Sequence, residues 1–275
     1  MEICFNNPET PHISYSRAKY ILRHHLDSPL LLREGEVIFP SLKYKMMIKI
    51  NDYPKLESPF VREVNKNGDY VVTSKIAEGM EWVFEGDETV VAASEKVNGS
   101  NSSILFENGE IKRIFNRTEH IPFFNKGKAH FIEGVLEAYK RGMLDDYINT
   151  GFTGQVFGEM CGEKINQNEL QITGHLFIPF DWLIEHCSYK SFHKHPKSFE
   201  GLQEWFTQPI SEGGIFSLFM KRRGIDMQPE GIVFHNLKTK QKAKIRRDMF
   251  QDYRGERHND GIKNKKDGQK KEDSE

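Results

Sequence analysis

The sequence predicts an α+β fold with mostly antiparallel sheets, on three observations. Short alternating or β-branched runs recur from Tyr70 to Phe115 and again from Gln155 to Arg247. Two helical patterns interrupt them, and an Asn-Gly turn joins two neighbouring runs.

Taken in chain order, strand patterning begins at Tyr70-Val71-Val72-Thr73 and continues through Glu81-Trp82-Val83-Phe84 and Thr89-Val90-Val91-Ala92. Ser103 to Phe106 and Ile111 to Phe115 flank Asn108-Gly109, a pair that tolerates the positive φ of a tight hairpin turn. From Ala129 to Tyr147, Phe131, Ile132, Val135, Leu136, Tyr139, Met143 and Leu144 recur at helical spacing, which predicts one amphipathic helix. Strands follow at Gln155 to Cys161, Leu170 to Ile184, Gly231 to His235 and Lys242 to Arg247, with a helix over Phe199 to Phe206. Residues 1–45 form an amino-terminal extension of unassigned role, 46–250 one catalytic domain, and 251–275 a charged tail too poor in apolar side chains to order itself. Met46-Met47 is a candidate internal translation start.

The 275 residues suffice for one substantial core, with 37% hydrophobic and 29% charged residues. No apolar run approaches the roughly 18 residues that a membrane span needs, and the first residues lack a signal-peptide pattern, so a cytoplasmic protein is expected. Cys4, Cys161 and Cys187 are too far apart for a disulfide framework or a paired-ligand zinc site. His193 and His195 lack further ligands at metal spacing and read as a surface loop. The net charge of −1 gives no global attraction to nucleic acid, so phosphate binding must come from a local cluster.

The chemistry starts from K-x-x-G, a nucleophilic lysine followed by a glycine that lets backbone approach a ligand. The pattern occurs at Lys96, Lys221 and Lys265, and spacing alone does not choose among them. Context does: Lys265 lies in the charged tail, Lys221 follows an apolar run as a helix end would, and Lys96 follows a strand and opens Glu95-Lys96-Val97-Asn98-Gly99-Ser100-Asn101. That string resembles E-K-x-x-G-[ST]-N, motif I of ATP-dependent RNA ligases of the RNA ligase 2 type, within the covalent nucleotidyltransferases. Five further motifs follow in family order: Arg117, Phe157 to Gly162 (FGEMCG), Phe177 to Trp182 (FIPFDW), Glu230 to Val233 (EGIV) and Lys244-Ile245-Arg246. The resemblance runs from about Glu81 to Phe250 and more weakly includes Tyr53 to Glu57.

The resemblance implies a nucleotidyltransferase domain of antiparallel sheets flanked by helices. It also implies that Lys96 carries AMP from ATP and that Glu230 associates with Mg²⁺ or Mn²⁺. Glu159 would bind a ribose hydroxyl and Phe180 would stack on adenine; Glu95, Asn101 and Arg117 would contact the nucleotide, or in the case of Arg117 the RNA end. Lys244 and Arg246 would supply positive charge. That charge matters because a lysine, with an ordinary pKa of about 10.4, attacks phosphorus only after losing its proton, and cationic neighbours and a divalent metal disfavour the ammonium form. The expected substrates are 5′-phosphate and 3′-hydroxyl RNA ends. Two departures stand out: Asn98 replaces the commoner Asp or His, and Arg246 replaces Lys. Only 28 residues follow Arg247, too few for a carboxy-terminal OB-fold, so the sequence predicts that RNA engagement rests on this domain, the extension or a partner protein. The competing readings are a nucleotidyltransferase with another acceptor, of the DNA ligase or capping type, and a non-catalytic nucleotide- or RNA-binding module.

Overall fold

The computed structural model describes residues 49–255 and residue 257. The expected extension over 1–45, Met46-Met47, the lysine at 265 and nearly all of the expected tail lie outside these described residues. The chain divides into two compact units: one holds residues 49–53 and Gly99–Pro179, the other Pro54–Asn98 and residues 180–257.

The first unit is built on a five-stranded antiparallel sheet in the order β6-β5-β4-β7-β8, formed by β4 (Ser100–Glu107), β5 (Glu110–Asn116), β6 (Glu119–Ile121), β7 (Gly154–Gly162) and β8 (His175–Pro179). The expected β4–β5 hairpin forms, with φ of 53° at Asn108 and 78° at Gly109. One face of the sheet packs against α2 (Ala129–Lys140) and buries Ile104, Ile114, Met160 and Phe177. The helix expected to run from Ala129 to Tyr147 is broken after Lys140. Gly142 takes φ +71°, the Met143 N–H bonds back to the Ala138 carbonyl, and the chain restarts as α3 (Asp145–Asn149). A left-handed glycine with that long backward bond is a helix stop, and it overrides the apolar periodicity that continues through it.

The second unit carries a two-stranded hairpin, β1 (Phe60–Val64) with β2 (Tyr70–Ile76), and a three-stranded antiparallel sheet in the order β10-β9-β3. Its strands are β3 (Val91–Lys96), β9 (Gly231–Asn236) and β10 (Lys242–Arg246). Val91, Ala93, Ile232, Phe234, Ala243 and Ile245 point from one face into a core shared with Trp205, Phe206 and Phe250. Helix α5 (Phe199–Thr207), as expected, starts on a Ser198 side-chain cap and buries Leu202, Trp205 and Phe206. Two expected strands are corrected here. Residues 82–85 form a single helical turn, α1 (Trp82–Glu85), because Glu85 and Gly86 N–H groups bond back to Glu81 and Trp82 and satisfy the backbone locally. The stretch expected as strand from Leu170 to Ile184 is strand only over His175–Pro179, then turns into α4 (Phe180–His186). Among the described residues, no helix is long and apolar enough to cross a membrane.

Candidate active site

Register decides what the three-stranded sheet presents. Lys96 lies opposite Gly231, which lies opposite Arg246; Ser94 and Lys244 flank Val233; Ala92 and Lys242 flank His235. Because residues directly across an antiparallel ladder share a face and side chains alternate, Lys96, Ser94, His235, Lys242, Lys244 and Arg246 stand on the face opposite the apolar core. A sheet half this polar concentrates four cationic residues, two of them in ion pairs with Glu230 and Asp248.

The Lys96 ammonium, 20% exposed, donates to Glu230 Oε2 at 2.7 Å. Glu230, itself 11% exposed, directly precedes Gly231, so the pairing that aligns Gly231 with Lys96 brings the carboxylate to the amine. Gly231 has no room for a side chain: a Cβ there would sit 2.1 Å from the Ile245 carbonyl. Arg246 is buried and its Nε donates to Asp248 Oδ1 at 2.9 Å. Lys242 is pulled below the usual lysine range by burial, with Asp181 opposing the shift. His235, 6% exposed, hydrogen-bonds Ser94 Oγ through Nε2 at 2.8 Å. Burial, helped by the charge of Lys242, lowers His235 to about 4, so the ring is neutral near pH 7, and its buried Nδ1 has no partner among the described residues.

Glu95 differs in direction from its neighbour. Its carboxylate, 1% exposed, points to the core side, where it accepts from the Ser217 hydroxyl and from the Phe219 N–H at the start of α6 (Leu218–Lys221). Burial raises its pKa to about 7 against the lowering effect of those hydrogen bonds. The carboxylate is therefore not brought to the face that carries Lys96. Phe180 opens α4, a helix packed against β3. Lys221 ends α6 on the surface, with its ammonium 4.1 Å from the Phe216 ring centre.

The five-stranded sheet holds the other three expected residues in one row. Asn101 lies opposite Glu159, and the Arg117 N–H donates to the Asn101 carbonyl at 3.0 Å from the β5–β6 turn. Asn101 Oδ1 is buried without a hydrogen-bond partner among the described residues. Gly99 explains itself differently from the sequence reading: a Cβ would lie 2.5 Å from both Glu159 Cγ and the Met160 carbonyl, so here the glycine admits strand β7. The Arg117 guanidinium donates to Asp52 Oδ2, at 2.7 Å from Nη2 and 3.1 Å from Nε.

Sequence reasoning did not single out Ser94, His235, Lys242, Asp52 or Asp248. Lys242 carried a signal, since K-x-K-x-R places three cations on one strand face. Asp52 carried none, because its partner is 65 residues away. Among the described residues, no group of three His, Cys, Asp or Glu stands close enough to hold a metal ion. A lone carboxylate such as Glu230 nevertheless fits Mg²⁺ or Mn²⁺, which keep several waters and take their remaining oxygens from phosphates.

The RNA ligase family matches residues 89–250. No curated protein sequence matches the chain. Solved structures similar to it include a Naegleria gruberi RNA ligase mutant with ATP and Mn, at 14% identity over 70% of this chain and 59% of that one, TM-score 0.39. The Naegleria gruberi RNA ligase with PPi is 16% identical over 72% of this chain and 58% of that one, TM-score 0.37. The chain thus spans about three-fifths of the length of those structures. The family match, by contrast, covers more than half of this sequence, from just before β3 to the end of the three-stranded sheet, and the chain belongs to the RNA ligase family.

Proposed function

We propose that this protein is an ATP-dependent RNA ligase that joins a 5′-phosphate to a 3′-hydroxyl through AMP bound covalently to Lys96. The observation that carries the reading is Lys96 Nζ, 2.7 Å from Glu230, on a sheet face that also bears Lys242, Lys244 and Arg246.

In the first step the unprotonated Lys96 nitrogen attacks the α-phosphorus of ATP, an N–P bond forms and the bond to pyrophosphate breaks. Glu230, paired with Lys96 at 2.7 Å, is the nearest carboxylate to take the proton that the amine loses. A divalent ion, when bound, neutralises phosphate charge and draws on the same Glu230 carboxylate. Lys244 and Arg246 add fixed positive charge that disfavours the ammonium and offsets the polyphosphate. In the second step a 5′-phosphate oxygen of RNA attacks the phosphorus and the N–P bond breaks. In the third, a 3′-hydroxyl attacks the activated 5′-phosphorus and AMP leaves. Each is an in-line displacement at phosphorus, which positioning and positive charge suffice to promote.

Glu159 takes a ribose hydroxyl, Phe180 the adenine, and Asn101 and Arg117 the nucleotide or the RNA end, in the roles that the motif resemblance implies. The buried, unpaired Asn101 Oδ1 is consistent with such a role, since a buried acceptor without a partner is costly unless a ligand fills it. The Glu95 carboxylate is assigned to the α6 cap instead.

Incubation with α-labelled ATP and a divalent metal is expected to label the protein covalently, with labelling by GTP at background and none in Lys96→Ala. Label retained in Lys96→Ala, with the variant folded, overturns the reading.

A further inference from the structure

We propose that Asp52 occupies the Arg117 fork in the substrate-free chain as an internal stand-in for the 5′-phosphate of RNA, and that it leaves when that phosphate binds. The inference rests on the ligase reading and goes beyond it by naming a competitor for one substrate group.

Residues 51–53 lie along one face of β7. The Asn51 N–H donates to Gln155 Oε1 at 3.0 Å, and Gln155 Nε2 returns a bond to the Asn51 carbonyl at 2.9 Å. Two residues on, the Tyr53 ring packs on Phe157 with centroids 5.3 Å apart. Gln155, Phe157 and Glu159 alternate along β7, so they share a face, and Asn101 joins that face opposite Glu159. The segment is thus fastened at Asn51 and Tyr53, and Asp52 between them meets Arg117.

Arg117 is set firmly from behind. It sits at φ +54°, a conformation uncommon outside glycine, at the tip of a two-residue turn between Asn116 and Glu119, and its N–H is tied to Asn101. Its side chain contrasts with this anchoring: the guanidinium is 58% exposed and Asp52 38% exposed. An ion pair this wet is weak and exchanges readily. Nε and Nη2 both converge on a single carboxylate oxygen, the donor pair with which arginine also grips phosphate. A terminal phosphate carries about −2 charge at neutral pH against −1 for Asp52, so it wins the fork when delivered by RNA.

The test measures binding of a short RNA by the whole chain, using fluorescence anisotropy, with the same strand bearing a 5′-phosphate or a 5′-hydroxyl. Asp52→Asn keeps the side-chain shape and removes the charge. It is expected to tighten the 5′-phosphate strand by about two- to fivefold, the effect of losing one exposed competitor. The 5′-hydroxyl strand is expected to be unchanged, and the gain is expected to vanish in an Arg117→Gln background. Unchanged or weaker binding of the phosphorylated strand overturns the proposal, as does an equal gain for both strands or a gain that survives Arg117→Gln. A lower ATP requirement for self-labelling, with RNA binding unmoved, would give the fork to the nucleotide and also overturn it. The covalent labelling of Lys96 is scored separately: its absence removes the ligase reading, whereas these binding outcomes bear on Asp52 alone.

Discussion

The two sheets of this protein present opposite kinds of polarity on their candidate faces. The three-stranded sheet offers cations, Lys96, Lys242, Lys244 and Arg246, with one carboxylate at the amine. The five-stranded sheet offers acceptors and a ring, Asn101, Glu159 and Phe157 on one face, with Arg113 farther along that face and Arg117 at its rim. Charge suits phosphate, whereas an amide and a carboxylate suit the hydroxyls of a ribose. The contrast teaches that register alone can give two sheets of one chain opposite chemistries, since each set is assembled by cross-strand pairing within its own sheet.

The sharpest way to break that contrast is to neutralise the one acid among the cations. Glu230→Gln keeps the shape beside Lys96 but removes the carboxylate to which the proposed function gives the proton and the metal, so the initial rate of self-labelling by ATP is expected to fall on the order of 10³-fold. Glu159→Gln, in the acceptor row, is expected to raise the ATP concentration needed for labelling with a smaller effect on its maximal rate. Rapid-quench labelling of both variants checks the pair. A Glu230→Gln rate within about threefold of the unaltered protein would show that the carboxylate beside Lys96 is ornamental to the chemistry.

A smaller effect probes how the acceptor row is built. Gly99→Ala places a Cβ against Glu159 Cγ, the Met160 carbonyl and Cys161 Sγ, two of them within 2.5 Å. The Met160 carbonyl belongs to the β7 backbone and the buried Cys161 side chain has little room to move, so a loss of about 3 kcal/mol is expected in denaturant unfolding. Crowding at Glu159 is also expected to weaken ATP more than it slows the labelling step.

Much of this architecture was legible from periodicity. The strands around Lys96, Glu159 and Lys244, the Asn108-Gly109 hairpin and the helix over Phe199 to Phe206 all form where alternation, turn chemistry or helical spacing placed them. The misses share a cause: apolar spacing reports which residues want burial, and local hydrogen bonding decides where an element stops. Gly142 ends a helix through which the apolar pattern continues, and the FIPFDW stretch changes from strand to helix between Pro179 and Phe180 without a break in hydrophobicity. At the site, alternation already implied that Glu95 and Lys96 face opposite ways, yet motif resemblance treats adjacent letters alike. Contacts such as Arg117 with Asp52, or Ser94 with His235 across 141 positions, leave no local trace in the sequence.

The smallest expected effect separates the sheets by their response to pH. The displaced buried acid and base both belong to the three-stranded sheet: Glu95 is raised to about 7 and His235 lowered to about 4. Between its ordinary value of 4.5 and about 7, Glu95 holds a proton more firmly in the folded chain than in the unfolded one, so its contribution to stability falls as pH rises. His235 does the reverse: between about 4 and its ordinary value of 6.5 the unfolded chain binds the extra proton, so its contribution rises with pH. The two slopes nearly cancel from pH 4.5 to 6.5, where the unaltered protein is expected to show a flat profile from this pair. Glu95→Gln leaves the His235 slope alone, and unfolding free energy is then expected to climb by about 2 kcal/mol across that window relative to the unaltered protein. His235→Asn is expected to tilt it the other way by a similar amount. Chemical denaturation at pH 4.5, 5.5 and 6.5 reads both slopes, and parallel profiles for all three proteins would mean that neither buried group changes its protonation on folding.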